Sequence, residues 1–187
     1  MAKQTSTASE LATLIMRLTR LVRAPAHVSD FNPAQWDALR YLGSANRFSR
    51  YPAELTAYLG STKGTVSQTL MSLEAKGLLT KQRDSDNARR VHLDLTKDGK
   101  QVLRGDPVKA LERMAKKMPA KHSEDALKAL SSLADSLAGK AATVFGTCAG
   151  CKHFNKASGK KAPNCGLFDA TLSVSEASQL CAYYSGK

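Results

Sequence analysis

The hydrophobic period of this chain changes at Gly77, and that change constrains the fold more than any other feature. Upstream, apolar residues recur at three- and four-residue steps, the period of helices packed on one face. Downstream, Leu78 to Arg83 and Val91 to Leu95 read as two strands around the polar loop Asp84-Ser85-Asp86-Asn87-Ala88-Arg89-Arg90, which predicts a β-hairpin with a long tip. Two helices, a tight turn and a hairpin therefore follow one another within a short stretch.

The upstream helices have clear punctuation. Leu11, Leu14, Ile15, Leu18, Leu21 and Val22 make one apolar stripe on a helix from about Ser9 to Arg23, ended by Ala24-Pro25. Asn32 caps a second helix with Pro33 at its first position; it carries Trp36, Leu39, Tyr41 and Leu42 and stops near Gly43-Ser44. A short helix follows Tyr51-Pro52, and Gly60 breaks it. Ser61-Thr62 caps the next, which buries Val66, Leu70 and Leu73 and stops at Gly77. Two helices joined through Gly60 are a helix-turn-helix signature. Beyond the hairpin Thr96 caps another helix, Gly105-Asp106-Pro107 interrupts and restarts it, and a long helix from Ser123 shows Leu127, Leu130, Ala134, Leu137, Ala141 and Val144 at seam spacing. This last helix and the first both need an apolar partner, and they flank the central unit. Together they predict a homodimer interface.

The charge balance points to a polyanionic partner. The 187 residues carry 28 Lys+Arg against 16 Asp+Glu, a net +12, and at 42% hydrophobic content the chain can form a core. No secretory signal is read at the start, and no apolar run approaches the roughly 20 residues of a membrane span. The expected location is the cytoplasm, with no membrane partner.

The helix after Gly60 has the surface that base reading requires. Ser61, Thr62, Lys63, Thr65, Ser67, Gln68 and Ser72 are short polar or basic groups opposite its apolar stripe. Gln68 suits a bidentate pair with adenine, Lys63 guanine or phosphate, and the amides near Thr62 to Gly64 a phosphate. Lys81 and Arg83 lie on the rising strand of the hairpin, with Arg89 and Arg90 at its tip. An arginine there suits the minor groove.

Taken as a set, Leu59-Gly60, Ser61, Thr65-Val66-Ser67, Leu73-Glu74-Ala75-Lys76-Gly77-Leu78 and Leu95-Thr96-Lys97-Asp98-Gly99 resemble the multiple antibiotic resistance regulator (MarR) family of winged-helix repressors. The resemblance implies a mainly α fold with a small β-hairpin wing: a winged helix-turn-helix flanked by dimerisation helices. It implies binding of double-stranded DNA at a palindromic operator by a dimer, with half-sites about 34–36 Å apart. The family's tip pairs an acid with an arginine. Here Asn87-Ala88 stands in the usual place, which leaves Arg89 as the minor-groove residue and Asp84 or Asp86 as its brace. Family members also bind small aromatic acids near the position of Tyr41, Arg50 and Tyr51, residues that serve equally well as packing.

One segment lies outside that pattern. All four cysteines fall in the tail, as Cys148-x2-Cys151-x13-Cys165-x15-Cys181. A reducing cytoplasm disfavours disulfides, and no βαβ pattern surrounds Cys148-x2-Cys151 to suggest a thiol oxidoreductase, so the chain is not read as an enzyme. Four thiols can ligate a [4Fe-4S] cluster or Zn²⁺, with His153 nearby as a supporting group. The single Cys-x2-Cys knuckle, the aromatic residues around the thiols, and Gly150 and Gly166, which leave room for backbone donors to sulfur, favour the cluster. The expected layout is 1–29 N-terminal dimerisation helix, 30–104 winged helix, 105–146 C-terminal dimerisation helices and 147–187 a cysteine-liganded module. The expected function is transcriptional repression controlled by the cluster, which on its loss would reposition the dimer helices. A MarR-like regulator with structural zinc and a small-molecule effector, or an architectural DNA-binding protein, is the alternative.

Overall fold

The computed structural model describes residues 6–23, 30–84, 87, 90–138, 145–156 and 162–186. The element order is α1 (Thr7–Arg23), α2 (Pro33–Ser44), a 3-10 turn (Arg47–Ser49), α3 (Pro52–Leu59), α4 (Lys63–Ala75), β1 (Leu79–Arg83), β2 (Val91–Leu95), α5 (Lys97–Arg104), α6 (Val108–Ala115) and α7 (Ala120–Ala138). The tail adds a 3-10 turn (Cys148–Gly150), β3 (Phe154–Asn155), β4 (Asn164–Cys165), β5 (Ala170–Thr171) and α8 (Val174–Ala177).

Local chemistry sets the helix ends. Asn32 accepts from the Gln35 amide while the Gln35 side chain accepts from the Asn32 amide, a complete capping box with Pro33 at the first turn. Thr62 and Thr96 cap α4 and α5 by accepting from Thr65 N and Gly99 N. Gly60 (φ 56°) and Gly77 (φ 71°) close α3 and the turn after α4 in the left-handed region, where a side chain would be strained. Leu78 lies in that turn rather than in a strand, and Leu78 O accepts from Thr96 N at 3.1 Å, so the hairpin ladder begins at Leu79. β1 and β2 pair antiparallel from Leu79↔Leu95 to Arg83↔Val91. The long helix α7 begins at Ala120, after Pro119 and ahead of Ser123; Ala141 and Val144 lie outside the described residues.

One core holds the central unit. Trp36, Leu39, Tyr41 and Leu42 of α2, Leu55 of α3, Val66, Leu70 and Leu73 of α4, and Leu79, Leu93 and Leu95 of the hairpin are buried together. Two tail residues, Phe145 and Leu180, pack against this cluster. The flanking helices are different. Leu14, Met16 and Leu21 of α1, Met114 of α6 and Leu127, Leu130 and Leu137 of α7 are exposed, so their apolar faces stay open in the single chain.

The tail has a sheet that the sequence reading did not anticipate. β3, β4 and β5 form a three-stranded antiparallel sheet in that order, each strand two residues long. Strands this short show no alternation to read.

Candidate nucleic-acid interface and cysteine site

Helix α4 presents the expected face. Thr62, Lys63, Thr65, Ser67 and Gln68 are exposed and Ser61 is half-buried, while Val66, Leu70 and Leu73 point into the core. Met71 is exposed on the same helix. Ser72 departs from the expectation. It is half-buried and accepts from Gln35 Nε2 at 2.9 Å, so it ties α4 to α2.

The hairpin sorts its basic residues by task. Arg83 is exposed at the outer end of β1. Lys81 pairs with Glu74 of α4 at 2.7 Å. Arg89 and Asp86 lie outside the described residues. Asp84 accepts from the Tyr51 hydroxyl and from Asn87 N, which fixes the start of the loop. Arg90 points inward from the wing root: its Nη2 donates to Glu54 at 3.1 Å and to the Tyr183 hydroxyl at 3.2 Å, and its guanidinium sits 3.7 Å from the Tyr51 ring centroid. Tyr51 is pushed up to about 12, first by burial and then by its bond to Asp84, so it donates throughout the physiological range.

The effector-region residues are engaged by the protein itself. Tyr41 is fully buried and donates to Ser49 O at 2.7 Å; burial raises its pKa. Arg50 donates to Ala45 O and to Asp94, both at 2.9 Å.

The tail brings all four cysteines together. Cys148, Cys151, Cys165 and Cys181, spread along the tail, line one cavity. All four are free thiols, three buried and Cys165 half-buried. His153 shares the cavity, as do Phe154, Phe168 and Leu172, so its wall is largely apolar. Burial pushes the Cys148 thiol up, and the other three thiols add to the rise, as expected where like charges would crowd. Among the described residues, no three His, Cys, Asp or Glu side chains converge as a site for one metal ion.

The Gly150 and Gly166 amides donate to Thr147 O (3.3 Å) and His153 O (2.8 Å). The space that glycine leaves at 146 and 150 is filled by Tyr184, since an added Cβ would lie 2.6 Å from its ring at Gly146 and 2.8 Å from its hydroxyl at Gly150.

The cavity is not closed by the tail alone. Asn46 and Phe48, from the link between α2 and α3, complete its wall. Phe48 stacks on Phe168 with ring centroids 4.3 Å apart and planes at 1°. Backbone bonds fasten the same link: Leu180 N donates to Ser44 O (2.8 Å), Asn46 N to Leu180 O (2.9 Å) and Ala182 N to Ser49 Oγ (2.9 Å). Arg47 bonds Glu176 and donates to Thr171 O at 2.7 Å. The module therefore docks on the winged helix. Two-residue strands and single aromatic contacts leave no periodic trace that could have announced this. The only sequence hint was the density of aromatic residues near the thiols.

None of the curated proteins matches this chain. Among solved structures, it is similar to the Staphylococcus aureus MepR–DNA complex (17% identity over 73% of this chain and 99% of that one, TM-score 0.57). It is also similar to Streptococcus pneumoniae FabT in complex with DNA (25% identity over 70% of this chain and 94% of that one, TM-score 0.57). Another similar structure is MepR described as a transcription regulator of the S. aureus multidrug efflux pump MepA (18% identity, 71% and 99% covered, TM-score 0.55). Among the described residues, no helix is long and apolar enough to cross a membrane. The model of the MarR family matches residues 29–90, from the approach to α2 through the wing.

Proposed function

We propose that this protein is a homodimeric, sequence-specific transcription repressor whose DNA affinity depends on a [4Fe-4S] cluster held by Cys148, Cys151, Cys165 and Cys181. DNA binding is supported by the exposed polar face of α4 beside a hairpin wing, and by the similarity to two proteins solved on DNA. The open apolar faces of α1, α6 and α7 support the dimer, because exposed leucines at helical spacing need a partner surface. A two-fold dimer would place two copies of α4 on a palindromic site. In this reading Thr62, Lys63, Thr65, Ser67, Gln68 and Arg83 face DNA, with Arg89 at the tip. Arg90 supports the wing from behind.

The observation that carries the cysteine reading is the composition of the tail's interior. Among its described residues the buried apolar set is Cys148, Cys151, Leu172 and Cys181. Burying one leucine contributes only about 1.5–3 kcal/mol, too little to order a segment of this length. A ligand that cross-links the thiols supplies the missing stabilisation. A single zinc ion with bonds of about 2.3 Å would draw its four sulfurs to within about 3.8 Å of each other. The four thiols line one cavity with Phe154 and Phe168 in its wall, and such an apolar shell is the kind of surroundings that tune an iron-sulfur cluster. Bound there, the cluster would supply a one-electron redox centre sensitive to its surroundings. The chain supplies the apolar wall and the fold that the thiols hold together.

Purification without oxygen tests this reading. The expected product is brown, with iron and acid-labile sulfide in equal amounts. It should discriminate its operator from scrambled DNA by about 10³ or more, and removal of the cluster should weaken that binding. Colourless protein holding one zinc per chain, with the same DNA affinity before and after chelation, would replace the sensor by a structural zinc.

A further inference from the structure

The link between α2 and α3, residues 45–51, has two working sides. One faces the cysteine module. Ala45 bridges Leu180, Asn46 bonds Leu180, Arg47 bonds Glu176 and Thr171, Phe48 stacks on Phe168, and Ser49 receives Ala182 N. The other faces the wing. Arg47 O contacts His92 Nε2 at 3.0 Å, Arg50 O accepts from Leu93 N at 2.8 Å, the Arg50 side chain holds Asp94, and the Tyr51 hydroxyl holds Asp84. A short segment thus contacts the ligand cavity and both strands' surroundings at once.

A second connection bypasses the link. Tyr183 stands two residues after Cys181 and lines the cavity, with its ring edge-on to Phe168 at 5.2 Å. Its hydroxyl donates to Glu54 of α3, and Arg90 at the wing root donates to both of them. Glu54 is well covered, its side chain 13% exposed, so losing one partner leaves its carboxylate less well satisfied.

We infer that the cysteine module sets the position of the wing within its own subunit, through residues 45–51 and through Tyr183 as the positioning residue for Arg90. This rests on the reading of the thiols as ligands of a cluster. With the thiols bridged, Phe168 and Tyr183 are fixed, Arg90 is held between Glu54 and the Tyr51 ring, and the wing root is preorganised for DNA. With the thiols unbridged, the module has too little buried surface to hold those contacts, and the wing loses its brace. Preorganisation lowers the ordering cost of binding, so the bridged form is the tighter DNA binder. Control therefore reaches the wing of each subunit directly and does not require a change in the spacing of the dimer.

The test uses the full-length protein purified without oxygen, with Tyr183→Phe, Cys181→Ser and the double variant. Tyr183→Phe removes one hydroxyl and leaves every thiol in place, so iron content and visible spectrum should match the parent. Amide hydrogen exchange across 79–95 should quicken by about tenfold, the size expected for a lost hydrogen bond to a charged group. Operator affinity should fall by a similar or smaller factor. Cys181→Ser should quicken the same amides, and the double variant should add little, because Cys181→Ser already loosens the Tyr183 contact that Tyr183→Phe removes. Unchanged wing exchange and affinity in Tyr183→Phe would overturn the inference, as would full additivity in the double variant. Should the parent hold no iron, the cluster reading fails, and the wing response of Tyr183→Phe still decides whether module and wing are connected. Iron present in the parent, lost in Cys181→Ser and without effect on the wing, would sink the connection and leave the cluster standing.

Discussion

Replacing Phe48 measures how firmly the cysteine module is fastened to the winged helix. The Phe48 ring is half-buried, stacks in parallel on Phe168 at 4.3 Å, and carries the Arg47 guanidinium 4.6 Å from its centroid. A fully buried Phe→Ala change costs about 3–5 kcal/mol. Half-burial reduces that to about 2, and the stack adds about 1. The Arg47 contact contributes little, because that side chain is 42% exposed and its charge is screened. Phe48→Ala should therefore loosen the module by about 3 kcal/mol, roughly a hundredfold in its opening equilibrium. Phe48→Leu keeps an apolar wall and loses mainly the stack, so it should cost about 1 kcal/mol. The assay is amide exchange at Leu172, Leu180 and Cys181, whose N–H groups donate to Pro163, Ser44 and Gly146. Phe48 is outside the buried cluster of the winged helix, so the amides of α4 should keep their protection. A module left unchanged by Phe48→Leu would show that the stack does not matter. Unchanged module amides in Phe48→Ala would refute the docking argument, and collapse of α4 would show that Phe48 belongs to the central core.

Three further outcomes follow from the same geometry. Gln68→Ala should cost about 1–3 kcal/mol on the operator and little on scrambled DNA, whereas Lys63→Ala should weaken both and lower the salt slope by about 1, as read by titrations at several salt concentrations. Asp106→Asn should lower stability by about 2 kcal/mol, since Asp106 is 5% exposed and accepts from Arg40 Nε and Nη2, both at 2.8 Å, while Arg40 itself is 24% exposed and partly screened. Burial alone would raise the Asp106 pKa, but the Arg40 and Val108 hydrogen bonds and the Arg40 charge outweigh it and hold the carboxyl below its usual range. The stabilisation is thus complete above the ordinary carboxylate pKa, about 4, and is lost as pH falls through the lower folded value; denaturant melts across acid pH should lose that component in Asp106→Asn. Gly99→Ala should destabilise by about 2 kcal/mol in a thermal melt, because its Cβ would lie 2.1 Å from Leu78 O, a clash that exceeds the roughly 1 kcal/mol gain in helix propensity.

The central unit was legible in the sequence because its determinants are local. Asn32, Thr62 and Thr96 cap helices by bonding amides three residues on, Gly60 and Gly77 adopt positive φ where the chain must turn, and Leu93 and Leu95 alternate with Asp94 against one core. The polar face of α4 follows from the same period. Ser72 lies at the border of that face, and only the packing of α2 decides whether a border residue meets solvent or Gln35. Arg90 carried a charge suited to DNA, yet its inward aim depends on Glu54 and Tyr183, the second of them 93 residues away.

By itself the sequence determined the helices, the hairpin, the exposed basic and polar face of α4 and the presence of four thiols in one tail. Tertiary structure alone decided that those thiols line a common cavity, that Asn46 and Phe48 of the winged helix complete its wall, and that Tyr183 of the module reaches Glu54 and Arg90. The physical reason is range. Caps, turns and periodic faces are fixed by neighbours within a few residues. The cavity is built from contacts between residues more than a hundred positions apart, such as Phe48 with Phe168 and Ser49 with Ala182, which no local pattern encodes.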